Sequence, residues 1–394
     1  MSDFAIKGWC PDAWHPMMAG DGLLMRVKPR LGALTRAQVL DLCDAAQAHG
    51  SGAIDLTRRA NFQLRGVREG EWQALLQRLI EAELVDADPG RETRRSVLIA
   101  PDWQAGDDTH RIAGELLARL DELPELPGKI GFVVDAGAAC ALREEAGDFR
   151  IERGETGDLI VRADGRAMGA AVASGQVDAL IALARWFVGN GGVSSGRMAR
   201  HVAALPHWAQ GTIAPAASGS RIAPGHHDLG SAYGLAFGRI EARALAASMR
   251  ASMASALRVT PWRVILLEGA SAGPLADLLD DPRDPLLHVD ACPGAPSCPQ
   301  ATVTTRDLAR ALAPHVSGRL HVSGCAKGCA RSGSAHVTVT GRDGRFDLAL
   351  NARAGAPPSR SALRPADLLR HFGAARCLTL TKPMAPRSIA SPSP

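Results

Sequence analysis

Gly22-Leu-Leu-Met-Arg-Val27 is a short apolar run of strand length, and the hydrophobic period changes soon after it. Thr35 is a good N-cap for a helix over 35–49, because Val39, Leu42 and Ala46 fall on one face and Gly50 supplies the stop. Two further strands are expected at 53–57 and 61–66, joined by a tight basic turn. A second amphipathic helix over 71–84 carries Trp72, Leu75, Leu76 and Leu79. Strand, helix, strand, strand, helix is the order of a ferredoxin-like half.

A similar unit recurs about two hundred residues later. A strand starts at 234–237, a helix spans 241–254, and strands at 256–260 and 263–267 flank a Pro-Trp turn. A second helix is expected to begin over 273–279. The pattern predicts an internal duplication. Between the two units, strands at 96–100, 129–134 and 158–163 alternate with helices near 108–120 and 175–188. Residues 206–230 are rich in Pro, Gly, Ala and Ser and read as a linker or an active-site lid. The resulting division is 1–90 for the first ferredoxin-like half with an N-terminal extension, 91–215 for an α/β domain, and 216–283 for the second half. A second α/β domain follows at 284–375, and then a Pro/Ser-rich tail at 376–394 that is expected to be disordered. The fold class is α+β.

Composition narrows the function. The 394 residues carry 45 Lys+Arg against 41 Asp+Glu, a net charge of +4, with 46% hydrophobic residues, which is ordinary globular chemistry. That balance, with aromatics at 4% and one tyrosine, Tyr233, argues against a nucleic-acid binder. No run reaches the ~18 apolar residues a membrane helix needs. Residues 1–20 include Asp3, Trp9, Pro11, Asp12 and His15 and hold no apolar leader core. These features predict a cytoplasmic protein with reduced thiols, so its eight cysteines need a use other than disulfides.

Four of them, Cys292, Cys298, Cys325 and Cys329, are arranged as C-x5-C, a gap of 26 residues, and C-x3-C. Both pairs lie in Gly/Pro-rich stretches, which let backbone approach a cluster and leave amides to hydrogen-bond its sulfides. Four thiolates satisfy a 4Fe–4S cube, one per iron. A tetrahedral zinc site is the alternative, but its knuckles usually use shorter spacings. Cys10, Cys43, Cys140 and Cys377 are scattered, and Cys43 reads as core. Gly189-Asn-Gly-Gly192 follows a helix rather than a strand, so it reads as a cap and turn and not as a dinucleotide loop.

The cysteine spacing and the duplicated half together resemble the sirohaem-type sulfite and nitrite reductase superfamily. Leu56-Thr-Arg-Arg-Ala-Asn-Phe-Gln63 is similar to its turn that points an arginine into the tetrapyrrole site, and Leu126-Pro-Gly-Lys129 to its substrate-facing lysine element. Lys7-Gly-Trp-Cys-Pro11, Pro16-Met-Met-Ala-Gly-Asp-Gly-Leu-Leu24 and Leu257-Arg-Val-Thr-Pro-Trp-Arg263 resemble a branch of monooxygenases of aerobic cobalamin biosynthesis. The resemblance implies Arg59 and Lys129 at the reaction centre. It also implies hydroxylation of precorrin-3A at C20 with O₂ and closure of a γ-lactone. A second implied cofactor is a further non-haem iron, or sirohaem bridged through Cys329. Electrons would come from NADH through a separate donor. The runner-up is a sirohaem-dependent sulfite or nitrite reductase. It is disfavoured by Gly131, where the reductases commonly carry a second polar or basic residue. A non-catalytic electron-transfer protein is a third and weaker reading.

A precorrin is a flat polycarboxylate, so its site needs several cations, and Arg pairs carboxylates through a planar fork. The candidates are Arg26, Arg258, Arg263 and Arg331, beside Arg59 and Lys129; alternation along the turn aims Arg58 the other way. His226 and His227, then His15, are the visible extra iron ligands, against the simpler reading as solvated loop histidines.

Overall fold

Thr35 begins the first helix as its sequence implies. Its hydroxyl accepts from the Gln38 amide at 3.2 Å while the Gln38 side chain accepts from the Thr35 amide at 3.1 Å. The helix Arg36–His49 buries Val39, Leu42, Cys43, Ala45 and Ala46. The computed structural model describes residues 11–373. Cys10, Cys377, the Lys7-Gly-Trp-Cys motif and the expected tail lie outside the described residues.

The helix packs with a sheet ordered Met17–Ala19, Gly22–Val27, Phe62–Val67, Ala53–Leu56 and Arg239–Glu241. A second sheet is ordered Gly225–His227, Gly230–Gly234, Val264–Glu268, Ala256–Val259 and Ala33–Thr35. The two halves exchange a strand. Ala33–Thr35, which leads into the first helix, pairs antiparallel with Ala256–Val259, Leu34 opposite Leu257. Arg239–Glu241, which leads into helix Ala242–Ser252, pairs antiparallel with Ala53–Leu56, Ile240 opposite Ile54. The turns before the exchanged strands match as well. Leu31 and Phe237 both sit in the left-handed region, with φ of 55° and 60°. Val39 and Leu42 from one helix share a core with Leu245 and Met249 from the other.

The second half departs from expectation twice. The strand expected at 234–237 lies earlier, at Gly230–Gly234, and 236–238 forms a short 3₁₀ turn instead. No helix forms over 273–279. Asp277 is left-handed at φ 63°, and the Leu279 backbone exchanges hydrogen bonds with Gly234 at 2.8 and 2.9 Å, which engages groups a helix would need. The first half does carry its second helix, Trp72–Glu81.

A third sheet is ordered Ala170–Ala171, Leu159–Ala163, Phe149–Arg153, Phe132–Asp135 and Val97–Ile99. It shares a core with helices Asp108–Ala118 and Gln176–Gly189. The segment expected as a linker or lid is a strap tied to this sheet. Gly169 and Ile213 exchange backbone bonds at 2.8 and 3.2 Å, Ala216 donates to Arg153, and Gly219 donates to Cys140. The described residues form two compact units: 11–289 with Ala295–Gln300, and Asp290–Gly294 with 301–373. The smaller unit is built on a sheet ordered Val289–Ala291, Leu320–Ser323, Ala335–Arg342, Arg345–Ala352 and Arg360–Leu363. Among the described residues no helix is long and apolar enough to cross a membrane.

Candidate functional site

Strand alternation sets the first cation of a cavity in the larger unit. Met25 and Val27 are fully buried, so Arg26 between them faces the other way, where its Nη2 donates to Gln63 Oε1 at 3.2 Å. Two residues on, past the end of the strand, comes Lys28. The turn between Ala53–Leu56 and Phe62–Val67 supplies Arg59 and Asn61. The Thr57 hydroxyl accepts from the Arg59 and Asn61 amides at 3.3 and 3.2 Å, and Ala60 takes φ 52° to complete the reversal. Arg59 then donates from Nη2 to the Lys129 carbonyl. Arg26, Lys28, Arg59 and Asn61, with Asp12, Trp14 and His15, line a cavity of about 560 Å³. Two indole N–H groups fix the segment that closes it: Trp14 donates to the Asp86 carbonyl at 3.0 Å and Trp72 to that of Ala13 at 3.1 Å.

Gly131 belongs to this geometry. A Cβ there would lie 3.4 Å from Arg59 Nη1 and 3.3 Å from the Ser96 carbonyl, so a side chain at 131 would crowd the guanidinium. The Gly131 amide donates at 3.0 Å to buried Asp148, whose other oxygen accepts from Arg197 Nε at 2.8 Å and the Met198 amide at 2.9 Å. That carboxylate thus ties down the loop carrying Lys129.

Lys28 is the cation that sequence reasoning missed, although its i, i+2 relation to Arg26 was a usable signal. It is 7% exposed, donates to the Glu92 carbonyl, and holds Nζ 3.7 Å from Glu92 Oε1. Burial pulls its pKa down, opposed by the charges of Glu92 and Asp12. Burial pushes Glu92 up, opposed by Arg95 and Lys28. Burial thus disfavours the charged form of both partners, and each partner's charge opposes that effect on the other. Asp12 accepts from the His15 amide at 2.6 Å, with His15 Nδ1 3.2 Å from the same oxygen.

The other expected ligand-binding groups are placed differently. Arg258, expected to bind ligand, is 4% exposed, stacks 3.9 Å over Trp103, and is bonded to the Pro101 and Trp103 carbonyls and to Glu268. Its guanidinium is committed within the fold and does not line the cavity. Arg263 donates to the Val289 carbonyl at 2.9 Å. Arg331, in the smaller unit, donates to the Ser334 carbonyl at 2.7 Å and lies 3.5 Å from Asp290. Lys129 is half-buried; its carbonyl holds Arg59, and neighbouring Gly128 lines the cavity. Arg58 is exposed. His226 and His227 lie on the edge strand Gly225–His227, and His227 Nδ1 accepts from the Leu229 amide at 3.2 Å.

Cys292 follows strand Val289–Ala291, while Cys325 and Cys329 follow strand Leu320–Ser323 in the same unit; Cys298 lies in the segment grouped with the larger unit. Among the described residues no three His, Cys, Asp or Glu side chains come close enough to hold a metal ion. The donor chemistry fits an iron–sulfur cluster all the same. The Gly324 amide donates to Cys292 Sγ at 3.2 Å, the kind of bond that stabilises a thiolate. A Cβ at Gly324 would stand 2.6 Å from that of Ala301, so only glycine lets this backbone pass. Cys298 and Cys325 are half-buried and Cys329 is exposed.

Residues 15–82 match the family model of the nitrite/sulfite reductase ferredoxin-like half domain. The chain resembles the solved structure of the Mycobacterium tuberculosis NirA protein with a TM-score of 0.54 over 87% of this chain and 77% of that one, at 17% identity, a likeness of fold. A curated Sinorhizobium protein named precorrin-3B synthase is 32% identical over 391 residues, covering 90% of this chain and 84% of its own length. A duplicated, strand-exchanged ferredoxin-like scaffold and this relationship along almost the whole sequence together place the chain in the precorrin-3B synthase family.

Proposed function

We propose that the protein is a monooxygenase of cobalamin biosynthesis that converts precorrin-3A to precorrin-3B. One atom of O₂ becomes the C20 hydroxyl, the ring A acetate closes the γ-lactone, and the other oxygen atom leaves as water. The two electrons required come ultimately from NADH through a separate donor. The observation that carries this reading is the cavity bearing Arg26, Lys28 and Arg59, three cations from adjacent elements of one half, as a ligand with several carboxylates requires. Arg26 and Arg59 offer planar forks. An ionised carboxylate arriving at Lys28 Nζ favours the ammonium form that burial disfavours. Trp14 supplies an apolar wall to a flat macrocycle.

In this reading Cys292, Cys298, Cys325 and Cys329 hold a 4Fe–4S cluster. Cys329, exposed, is the residue that would hold a further iron group, non-haem or sirohaem. A bound cluster supplies electrons one at a time. The test is anaerobic purification, incubation with precorrin-3A, a reduced donor and isotopically labelled O₂, and mass spectrometry. The expected product carries one labelled oxygen atom. Sulfite or nitrite turnover without such a product, together with an intense sirohaem Soret band, would establish the reductase reading instead.

A further inference from the structure

A second cavity, of about 280 Å³, adjoins the first, and the two share Thr93, Ser96 and Gly128 in their walls. Leu126, Pro127, Ile130 and Phe132 form an apolar side, Thr93, Ser96 and Glu125 add polar groups, and its one cation is Arg94. The neighbouring arginines are committed. Arg91 lies between Asp86 and Asp121, and buried Arg95 donates to the carbonyls of Lys28 and Leu84 and lies 3.2 Å from Glu92. Arg94 differs from both. It is half-buried, yet its guanidinium has no hydrogen bond or ion pair with any described residue, and Glu125 is exposed and does not pair with it. Asp88 accepts instead from the Arg91 and Gly90 amides at 3.0 and 2.6 Å, which, helped by the Arg94 charge, hold its carboxyl low. The Ser96 hydroxyl on the shared wall is likewise without a partner among the described residues.

A guanidinium left open beside apolar walls is arranged to receive a carboxylate through two parallel N–H bonds, because the walls exclude the water that would compete. We propose that Arg94 anchors a second carboxylate subsite, taking one side-chain carboxylate of a polycarboxylated tetrapyrrole whose other carboxylates lie on Arg26, Lys28 and Arg59. This rests on the reading of the main cavity as a tetrapyrrole site and adds to it the group that orients the macrocycle. An arm seated on Arg94 would fix which edge of the ring enters the main cavity.

The test uses the full chain and uroporphyrin, a fluorescent tetrapyrrole with a carboxylate on every arm, followed by fluorescence titration. Arg94→Gln is expected to weaken binding roughly tenfold with an unchanged melting temperature, since the side chain makes no internal bond. Arg94→Lys, which keeps the charge and loses the fork, is expected to recover part of that affinity, and the salt dependence of binding is expected to fall in Arg94→Gln alone. Wild-type affinity in Arg94→Gln, with weakened binding in Arg26→Gln, would overturn the subsite and leave the main cavity standing. Failure of the wild-type chain to bind uroporphyrin would overturn both.

Discussion

Single residues here are governed by what burial does to charge. Asp135 is fully buried in strand Phe132–Asp135; its Oδ2 accepts from the Leu142 amide at 2.7 Å and its Oδ1 has no partner among the described residues. Burial, with Asp102 and Glu152 adding negative charge, pushes this carboxyl up to about 7 from 3.8. The folded protein therefore keeps a proton on Asp135 that the unfolded chain releases earlier. Stability is full below the unfolded value and falls as pH rises toward about 7, by at most about 4 kcal/mol. Asp135→Asn should match the parent in acid, become progressively more stable than it as pH rises to about 7, and level off beyond. Urea titrations across that range check this, and a pH-independent difference would sink it. The same physics explains which site residues were legible. Arg59 could be found because its turn has a motif. Lys28 was missed because a lysine at a strand end looks like a solvated charge until Glu92 is seen beside it. Arg258 read as a ligand-binding cation because a sequence does not show Trp103 under its guanidinium.

Elements of 10 or more residues were readable because their period was: the helices Arg36–His49 and Trp72–Glu81 lie where the apolar spacing puts them. Strands of three residues carry no period, so Ala33–Thr35 and Arg239–Glu241, the pieces that lock the two halves together, left no trace in the pattern. Their exchange has a consequence for cooperativity. Leu34 is 2% exposed and belongs by sequence to the first half, but it is held in the sheet of the second. Leu34→Ala should destabilise by about 2–4 kcal/mol, as large-to-small changes in a core do. Hydrogen exchange should then accelerate in Ala256–Val259 and Val264–Glu268 as much as in the first half. Faster exchange confined to residues before 90 would show that the halves open separately.

For the whole molecule, a net charge of +4 conceals a cavity where cations gather, because acids elsewhere cancel them in the sum. The eight cysteines conceal a division in the same way. Cys43, fully buried on the first helix, is pushed up to about 12 by burial and by Asp44. Cys140 is raised to about 11 by burial and by Asp135 and Glu152. At both positions burial disfavours the thiolate that an iron ligand must become. At Cys292 a backbone amide is aimed at the sulfur, the kind of hydrogen bond that cluster-ligating cysteines accept. If the proposed ligand set holds, Cys292→Ser, Cys298→Ser, Cys325→Ser and Cys329→Ser should each lose the visible cluster absorption and most iron and acid-labile sulfide. Cys43→Ala and Cys140→Ser should retain all three signals, whatever they do to stability. Purification under anaerobic conditions with iron and sulfide analysis separates the sets. Full iron and sulfide in any of the first four would remove that residue from the cluster. Loss from Cys140→Ser with the fold intact would mean that burial is not what keeps that thiol out of metal chemistry.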